Sequence, residues 1–320
     1  MKSPARNGYS EHCLMSLSSS FQRISRRAMA MAVAACVWLS SADAYAADTE
    51  ANAEAASAAE KAEIVRPVNS SYMLSVGSSH LGDTYLSPLK YTGWHAAFDY
   101  DRIQAMKFSP ERWRQQLRIS VEFNHADNPA RNATLDYLNV HASWGMLRRW
   151  ALPYNIGVAV GGNAALNAGC TYSARNGNNP ASAKVDITVG VSGHATWKTR
   201  LGWMPVMLLW QTSMPLTGAF FSPEYDELYY EIYLGNRSGL VHWALPWNMF
   251  RWDNLVCADL DVSSTRLRVG FRSRIFSSEV NNITTRIFSY GFVVGATGDW
   301  MSVSPRNFPS KETMSIVYAY

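Results

Sequence analysis

Cysteine is scarce in this chain, with four residues among 320. Only Cys170 and Cys257 lie beyond the N-terminal segment, too few and too far apart for a disulfide framework and without the spacing of a zinc site. They read as small buried or loop thiols. Long hydrophobic runs are also missing. The stretch from Ala28 to Leu39 is the longest, and nothing later reaches the roughly 20 apolar residues of a spanning helix, which excludes a polytopic helical membrane protein. Charged residues make up 17% of the chain and are dispersed, with a formal net charge of +4. No Lys/Arg run or RNA-binding aromatic motif appears, so nucleic acid is not an expected partner. Nor is there a phosphate-cradling glycine loop or a His/acid cluster at ligand spacing, so no metal and no cofactor is expected.

What is present is apolar material in a mixed texture: 48% hydrophobic residues at a mean hydropathy of −0.15. The N-terminus has the parts of an export signal. Arg23, Arg26 and Arg27 precede the apolar run, and Ala44-Tyr45-Ala46 follows as a small-x-small cleavage site. Residues 1–46 are therefore expected to be a signal peptide, with Met15 an alternative start that keeps the signal whole. Val33-Ala34-Ala35-Cys36 competes as a lipoprotein box, but Val37-Trp38-Leu39 carry the apolar run past the cysteine. Arg26-Arg27 lacks the surroundings of a twin-arginine signal. Residues 47–66 are Ala/Glu-rich and read as a tether; residues 67–320 are the expected folded domain.

That domain alternates. Leu117, Ile119, Val121 and Phe123 fall on one side of a strand, with Arg118, Ser120 and Glu122 on the other. Leu138, Val140, Ala142, Trp144 and Met146 point one way, and Asn139, His141, Ser143 and Gly145 the other. A soluble sandwich also alternates. Three features favour a membrane barrel: strand candidates of about ten residues or more, connections that alternate between short (RRWALP, KTRLG) and long and polar (ALNAGCTYSARNGNNPASA, TGAFFSPEYDE), and Trp and Tyr near strand ends. The expected fold is all-β, a transmembrane antiparallel up-and-down barrel of about 12 strands, within a range of roughly 10–14. The stretch from Gly235 to Val262 reads either as two short strands around a turn or as a long loop.

The segment Met314–Tyr320, MSIVYAY, puts Met314, Ile316, Tyr318 and Tyr320 on one face of an extended strand. A closed barrel needs its last strand to pair with its first, and this segment is expected to do so. Bacterial outer-membrane barrels commonly end in an alternating strand with a final aromatic, which Tyr320, Tyr318 and Ile316 resemble; the resemblance implies an assembly signal read by the barrel-assembly machinery.

Two stretches, SSHLGDTYLSPLKYTGW (Ser78–Trp94) and TRLRVGFRSRIFSSEVNNITTRIFSYGFVVG (Thr265–Gly295), resemble an uncharacterised family of exported outer-membrane β-barrel proteins of Bacteroidetes. The resemblance implies a fold and an outer-membrane location and carries no catalytic residues.

Two constellations bear chemistry. Arg266, Arg268, Arg272 and Arg274 share one strand face opposite Leu267, Val269, Phe271 and Ile275. With the apolar face in lipid, four guanidinium groups enter the lumen, because arginine near the midplane of the lipid face costs about 2–4 kcal/mol. They would either attract small anions into a pore or pair with inward acids such as Glu122, Asp136, Asp186, Asp259 and Asp261 and plug it. His141-x-Ser143 followed by Asn155 resembles the arrangement of outer-membrane phospholipases, which implies a Ser nucleophile, a His base and an orienting Asn. Here Trp144-Gly145 follows where that pattern has Asn-Gly, and His141 and Ser143 fall on the polar face rather than the lipid face. The expectation is a non-enzymatic barrel in contact with outer-membrane lipid, either a narrow or plugged anion-leaning channel or a structural surface protein. A lipid hydrolase and a lipid-anchored periplasmic β-sandwich are the alternatives.

Overall fold

The computed structural model describes residues 63–300 and 314–320, with 178, 226, 237, 263 and 264 excepted. The signal peptide, Cys36 and residues 47–62 of the tether lie outside the described residues. The elements in chain order are β1 (Glu63–Val65), β2 (Val68–Asp83), β3 (Ser87–Ala105), β4 (Trp113–Asp127), β5 (Thr134–Leu152), β6 (Ile156–Tyr172), β7 (Ala181–Leu201), β8 (Met204–Phe221), α1 (Tyr229–Leu234), β9 (Val241–Ala244), β10 (Met249–Val262), β11 (Thr265–Val280), β12 (Ile283–Trp300) and β13 (Met314–Ile316).

Ten strands, β2 to β8 and β10 to β12, close into an antiparallel barrel: each pairs with the next, β12 pairs with β2, and β8 pairs with β10. The count sits at the low end of the expected range. Individual strands run from 14 to 21 residues, more than the nine to eleven or so that a tilted crossing needs, so their ends stand clear of a hydrocarbon layer. No helix among the described residues is long and apolar enough to cross a membrane.

The two faces follow the period of two. Tyr72, Leu74 and Val76 on β2, Ile119, Val121 and Phe123 on β4, and Leu138, Val140 and Trp144 on β5 are exposed outward, and their alternate neighbours are turned in and buried. One expected inward acid is misplaced: Asp136 shares the face of Leu138, and its carboxylate meets His125 Nδ1 at 2.6 Å near the strand ends. Where β12 meets β2 the closure needs glycine. Gly77 lies opposite Gly291, and a Cβ on Gly77 would meet the Tyr290 carbonyl oxygen at 2.1 Å.

The connections sort by end. Residues 106–112, 153–155 and 202–203 turn the chain at the end that also carries β1 and β13, here called the terminal end. Residues 84–86, 128–133, 173–180, 222–248 and 281–282 lie at the opposite, loop end. Most of the residues in the two stretches expected as long loops are strand, with only 173–180 and 222 onward outside it. Within 222–248, α1 is followed by Gly235 at φ 116, a left-handed value that glycine adopts without a Cβ penalty, and β9 then pairs with the last four residues of β8. The stretch from Gly235 to Val262 thus holds one short strand and a full barrel strand, β10.

The expected role of MSIVYAY as closing strand is overturned. β12 already closes the barrel against β2, and β13 instead pairs in parallel with β1, Glu63 opposite Met314 and Val65 opposite Ile316. The stretch Glu63–Val65, read as tether, is therefore strand. Beyond β13 the chain turns into the lumen. Alternation identifies a strand with one apolar side, and a plug packed among apolar lumenal residues meets the same requirement.

Candidate functional site: the lumen and the gap between two strands

The lumen is filled in three layers. Toward the loop end, Leu81, Tyr91, Leu135, Tyr137, Phe276 and Ile287 form an apolar cluster. Above it Tyr85 donates its hydroxyl to the Glu227 carbonyl at 2.8 Å and meets Tyr229 edge-on; burial pushes both phenols above their usual range. Toward the terminal end, Met73, Ile103, Leu209, Leu255 and Val293 pack with Ala319 and Tyr320. Tyr320 is 7% exposed. The segment is held by lumenal donors: Arg114 Nε to the Ala319 carbonyl at 2.9 Å, Arg114 Nη2 to the Tyr318 carbonyl at 3.0 Å and Lys198 Nζ to the Tyr320 carbonyl at 3.1 Å.

Between the apolar layers sits an ion-pair lattice. Asp253 accepts from Arg118 and from Arg272, Nε at 2.9 Å and Nη2 at 2.7 Å. Arg274 pairs with Asp99 and, at 3.2 Å, with Glu122. Arg251 meets Asp186 at 2.9 Å; outside the middle layer, Arg268 grips Asp259 through two hydrogen bonds of 2.7 and 2.8 Å beside Met73 of the terminal layer, and Lys184 meets Asp83 at 2.8 Å past Leu81 at the loop end. Arg266, nearest the terminal mouth, pairs with Asp299. All four residues of the arginine ladder are on the lumenal strand face, as the alternation required, and each has a carboxylate partner. Three of those partners, Asp99, Asp253 and Asp299, escaped the reading of the sequence; their alternation with outward apolar residues such as Phe98 and Val256 was the available signal.

His141 and Ser143 also face the lumen, with His141 Nε2 and Ser143 Oγ 3.2 Å apart. Asn155 is not their partner. It stands with Tyr154 in the tight turn between β5 and β6, at φ 59 and 62, where consecutive left-handed residues match the twist of a hairpin. The residue opposite His141 on β6 is Asn167. Its Oδ1 lies 2.9 Å from His141 Nδ1 while its Nδ2 donates to Asp186 at 2.7 Å. That second bond orients the amide so that Oδ1 accepts from Nδ1–H, leaving Nε2 free to accept from Ser143. The pieces of a nucleophile, base and orienting group are thus in line, on a wall where Ser143 is buried. Among the described residues no group of His, Cys, Asp or Glu could hold a metal, and both Cys170 and Cys257 are free thiols.

The middle layer contains a cavity of about 50 Å³. Asn139, His141, Asn163 and Asn167 line one wall, and Pro215 and Trp252 the other. That second wall is a gap in the sheet. The β8–β10 ladder covers Val206–Ser213 against Leu260–Asp253 and stops; β8 next gains a neighbour on that side at Gly218, from β9. In between, Met214, Pro215 and Thr217 pair on the β7 side only, and Leu216 is the extra residue of a bulge. Pro215 lacks an N–H to donate, and the β7–β8 register shifts beside it at Val189/Gly190.

Among solved structures, the β-domain of the Bordetella autotransporter BrkA is matched at 9% identity and a TM-score of 0.35, over 74% of this chain and 100% of that one. An outer membrane channel from Pseudomonas putida F1 is matched at 6% identity and a TM-score of 0.30, over 74% of this chain and 96% of that one. No curated protein matches the sequence. A family model, by contrast, matches residues 31–307, which takes in every strand of the barrel, and the chain belongs to that family, proteins of unknown function designated DUF3316.

Proposed function

We propose that the protein is a closed, non-enzymatic β-barrel of the bacterial outer membrane, exported through a cleaved signal, whose lumen is plugged and does not conduct ions at rest. The observation that carries this reading is the filled lumen: two apolar layers around an ion-pair lattice, with Val317–Tyr320 seated in the terminal end. The outward belt of Leu, Val, Ile and aromatic side chains supports contact with lipid, since such a face is otherwise an aggregation surface. The terminal end, which carries both described chain ends, faces the periplasm in this reading, and the loop end, with the long 222–248 connection, faces out. An anion preference loses its basis where each ladder arginine is matched by a carboxylate. Kinship with the exported barrels of Bacteroidetes fits the same location.

The test is retention on membranes after carbonate extraction together with gel mobility before and after boiling. A retained protein that migrates faster unboiled, and that gives no steps in a planar bilayer, is the expected result. Release by carbonate without a mobility change would sink the membrane barrel, and steady anion-selective conductance would sink the plug.

The Ser143–His141–Asn167 line gives one observation in favour of a hydrolase. Its burial in the packed lumen supports the contrary outcome, that a fluorophosphonate probe leaves Ser143 unlabelled in the folded protein. Stoichiometric labelling that is lost in Ser143→Ala would make the chain an enzyme.

A further inference from the structure

Two features that neither plug nor scaffold requires flank the gap between β8 and β10. Inside it lies the cavity, where Asn139 is 4% exposed and its Oδ1 has no hydrogen-bond partner; the Oδ1 of Asn163 and the Nε of Arg251 on the same cavity are likewise unpartnered. Buried polar atoms in this state call for a ligand or water. At about 10–15 Å³ for each water position, the space holds roughly three to five heavy groups.

Outside it, on the lipid face of the same two strands, lies an apolar groove of about 650 Å³. Trp210 and Leu208 of β8, Val256 and Ala258 of β10 and Phe271 of β11 form its floor and sides. Val256 is paired with Trp210, three residues along from the end of the ladder at Ser213 and Asp253, a distance of about 10 Å along a strand. Trp252 stands between the two, its indole N–H donating to Thr212 Oγ1 at 3.0 Å across the outer face of the seam.

We infer that this seam is a lateral binding site for a single-chain amphipath with a small, uncharged, hydroxyl-bearing head. The head enters the cavity and the chain lies in the exterior groove. Hydroxyl groups both donate and accept, which suits two unpartnered carbonyl oxygens and one unpartnered N–H. A charged head is disfavoured, because the charges around the cavity, Glu122, Asp253, Arg251 and Arg274, already have partners and an added charge would be buried without one. The gap also accounts for backbone groups of Met214–Thr217 left without a strand neighbour on the β10 side at membrane depth, which are tolerated where they border a polar space rather than lipid.

This inference rests on the reading of the chain as a membrane barrel, so the heat-dependent mobility of every sample is scored first; its absence would sink that reading and not the site. The full chain, in phosphatidylcholine vesicles, is irradiated with a monoacylglycerol whose acyl chain carries a diazirine, and the cross-linked peptides are mapped. Labelling is expected to concentrate on β8, β10 and β11 around Trp210, Val256 and Phe271. A tenfold excess of plain monoacylglycerol is expected to compete, and the same excess of fatty acid is not. Asn139→Leu removes an acceptor and Ala258→Phe fills the groove from outside; each is expected to lower labelling about fivefold, the worth of one hydrogen bond or of a blocked chain. Labelling spread evenly round the belt, including Val121 and Val140, or unmoved by Ala258→Phe, would overturn the site. Equal competition by fatty acid would overturn the uncharged head.

Discussion

Asp253 gathers Arg118 and Arg272, with Arg274 Nε at 4.0 Å, so a single carboxylate ties β4, β10 and β11 together across the lumen. Such pairs are costly to break from one side. Arg268 and Asp259 have no exposed side-chain surface, and Arg268→Met strands a buried carboxylate; the expected loss is about 3–5 kcal/mol, read from the urea midpoint of the vesicle-bound barrel. The double change with Asp259→Leu is expected to recover most of it. The outer face has the opposite rule: Val140→Arg is expected to cost about 2–4 kcal/mol by the same measurement. Which way each residue points was legible in the sequence, because the period of two needs only neighbours. Which residue it meets was not. Arg274 and Glu122 are 152 positions apart and Arg118 and Asp253 are 135 apart, distances over which alternation carries no information. Asn155 was chosen for its nearness in sequence, whereas strand register placed Asn167 against His141.

At the level of elements, the barrel strands were readable and the exceptions were the short ones. β9 pairs over four residues and β13 over three, too few for a periodic pattern to separate them from loop or from a barrel strand. β13 and the segment after it make a distinctive prediction. Because β2 and β12 close the barrel without them, removal of Val317–Tyr320 is expected to leave the heat-dependent mobility and the amount of assembled protein unchanged, and a planar bilayer is expected to stay without steps, because the ion-pair lattice and the loop-end apolar layer still fill the lumen. Loss of assembled protein would instead return the segment to the role of an assembly signal, with Tyr320, Tyr318 and Ile316 as its readers' target. The cavity beside Pro215 was out of reach of the sequence for a related reason: it depends on where the β8–β10 ladder stops, a property of two strands at once.

For the whole molecule, the proposed orientation puts the long 222–248 connection outside and the end that carries β1 and β13 in the periplasm. An epitope inserted after Gly235, between α1 and β9, is expected to bind antibody on intact cells, whereas one inserted at Gly202 in a terminal-end turn is expected to do so only after the outer membrane is opened. Staining of the Gly202 epitope on intact cells would invert the barrel. In the sequence the expected asymmetry rested on the short RRWALP and KTRLG and the longer stretches ending near 180 and 227; the two- and three-residue turns 281–282 and 84–86 at the loop end were not legible there.

The pairing of Glu63 with Met314 has a consequence in time. Residues so far apart in the chain meet late, because a long loop must close before the contact returns anything. Ring closure through β2 and β12 spans nearly as much chain, 230 positions between Asn69 and Asp299, but once made it leaves only short segments to close before Glu63 can meet Met314, so the last segment finds its seat afterwards. A newly inserted barrel therefore passes through an interval with its last segment unseated, and refolding into vesicles is expected to show Val317–Tyr320 open to carboxypeptidase until after the heat-dependent mobility has appeared.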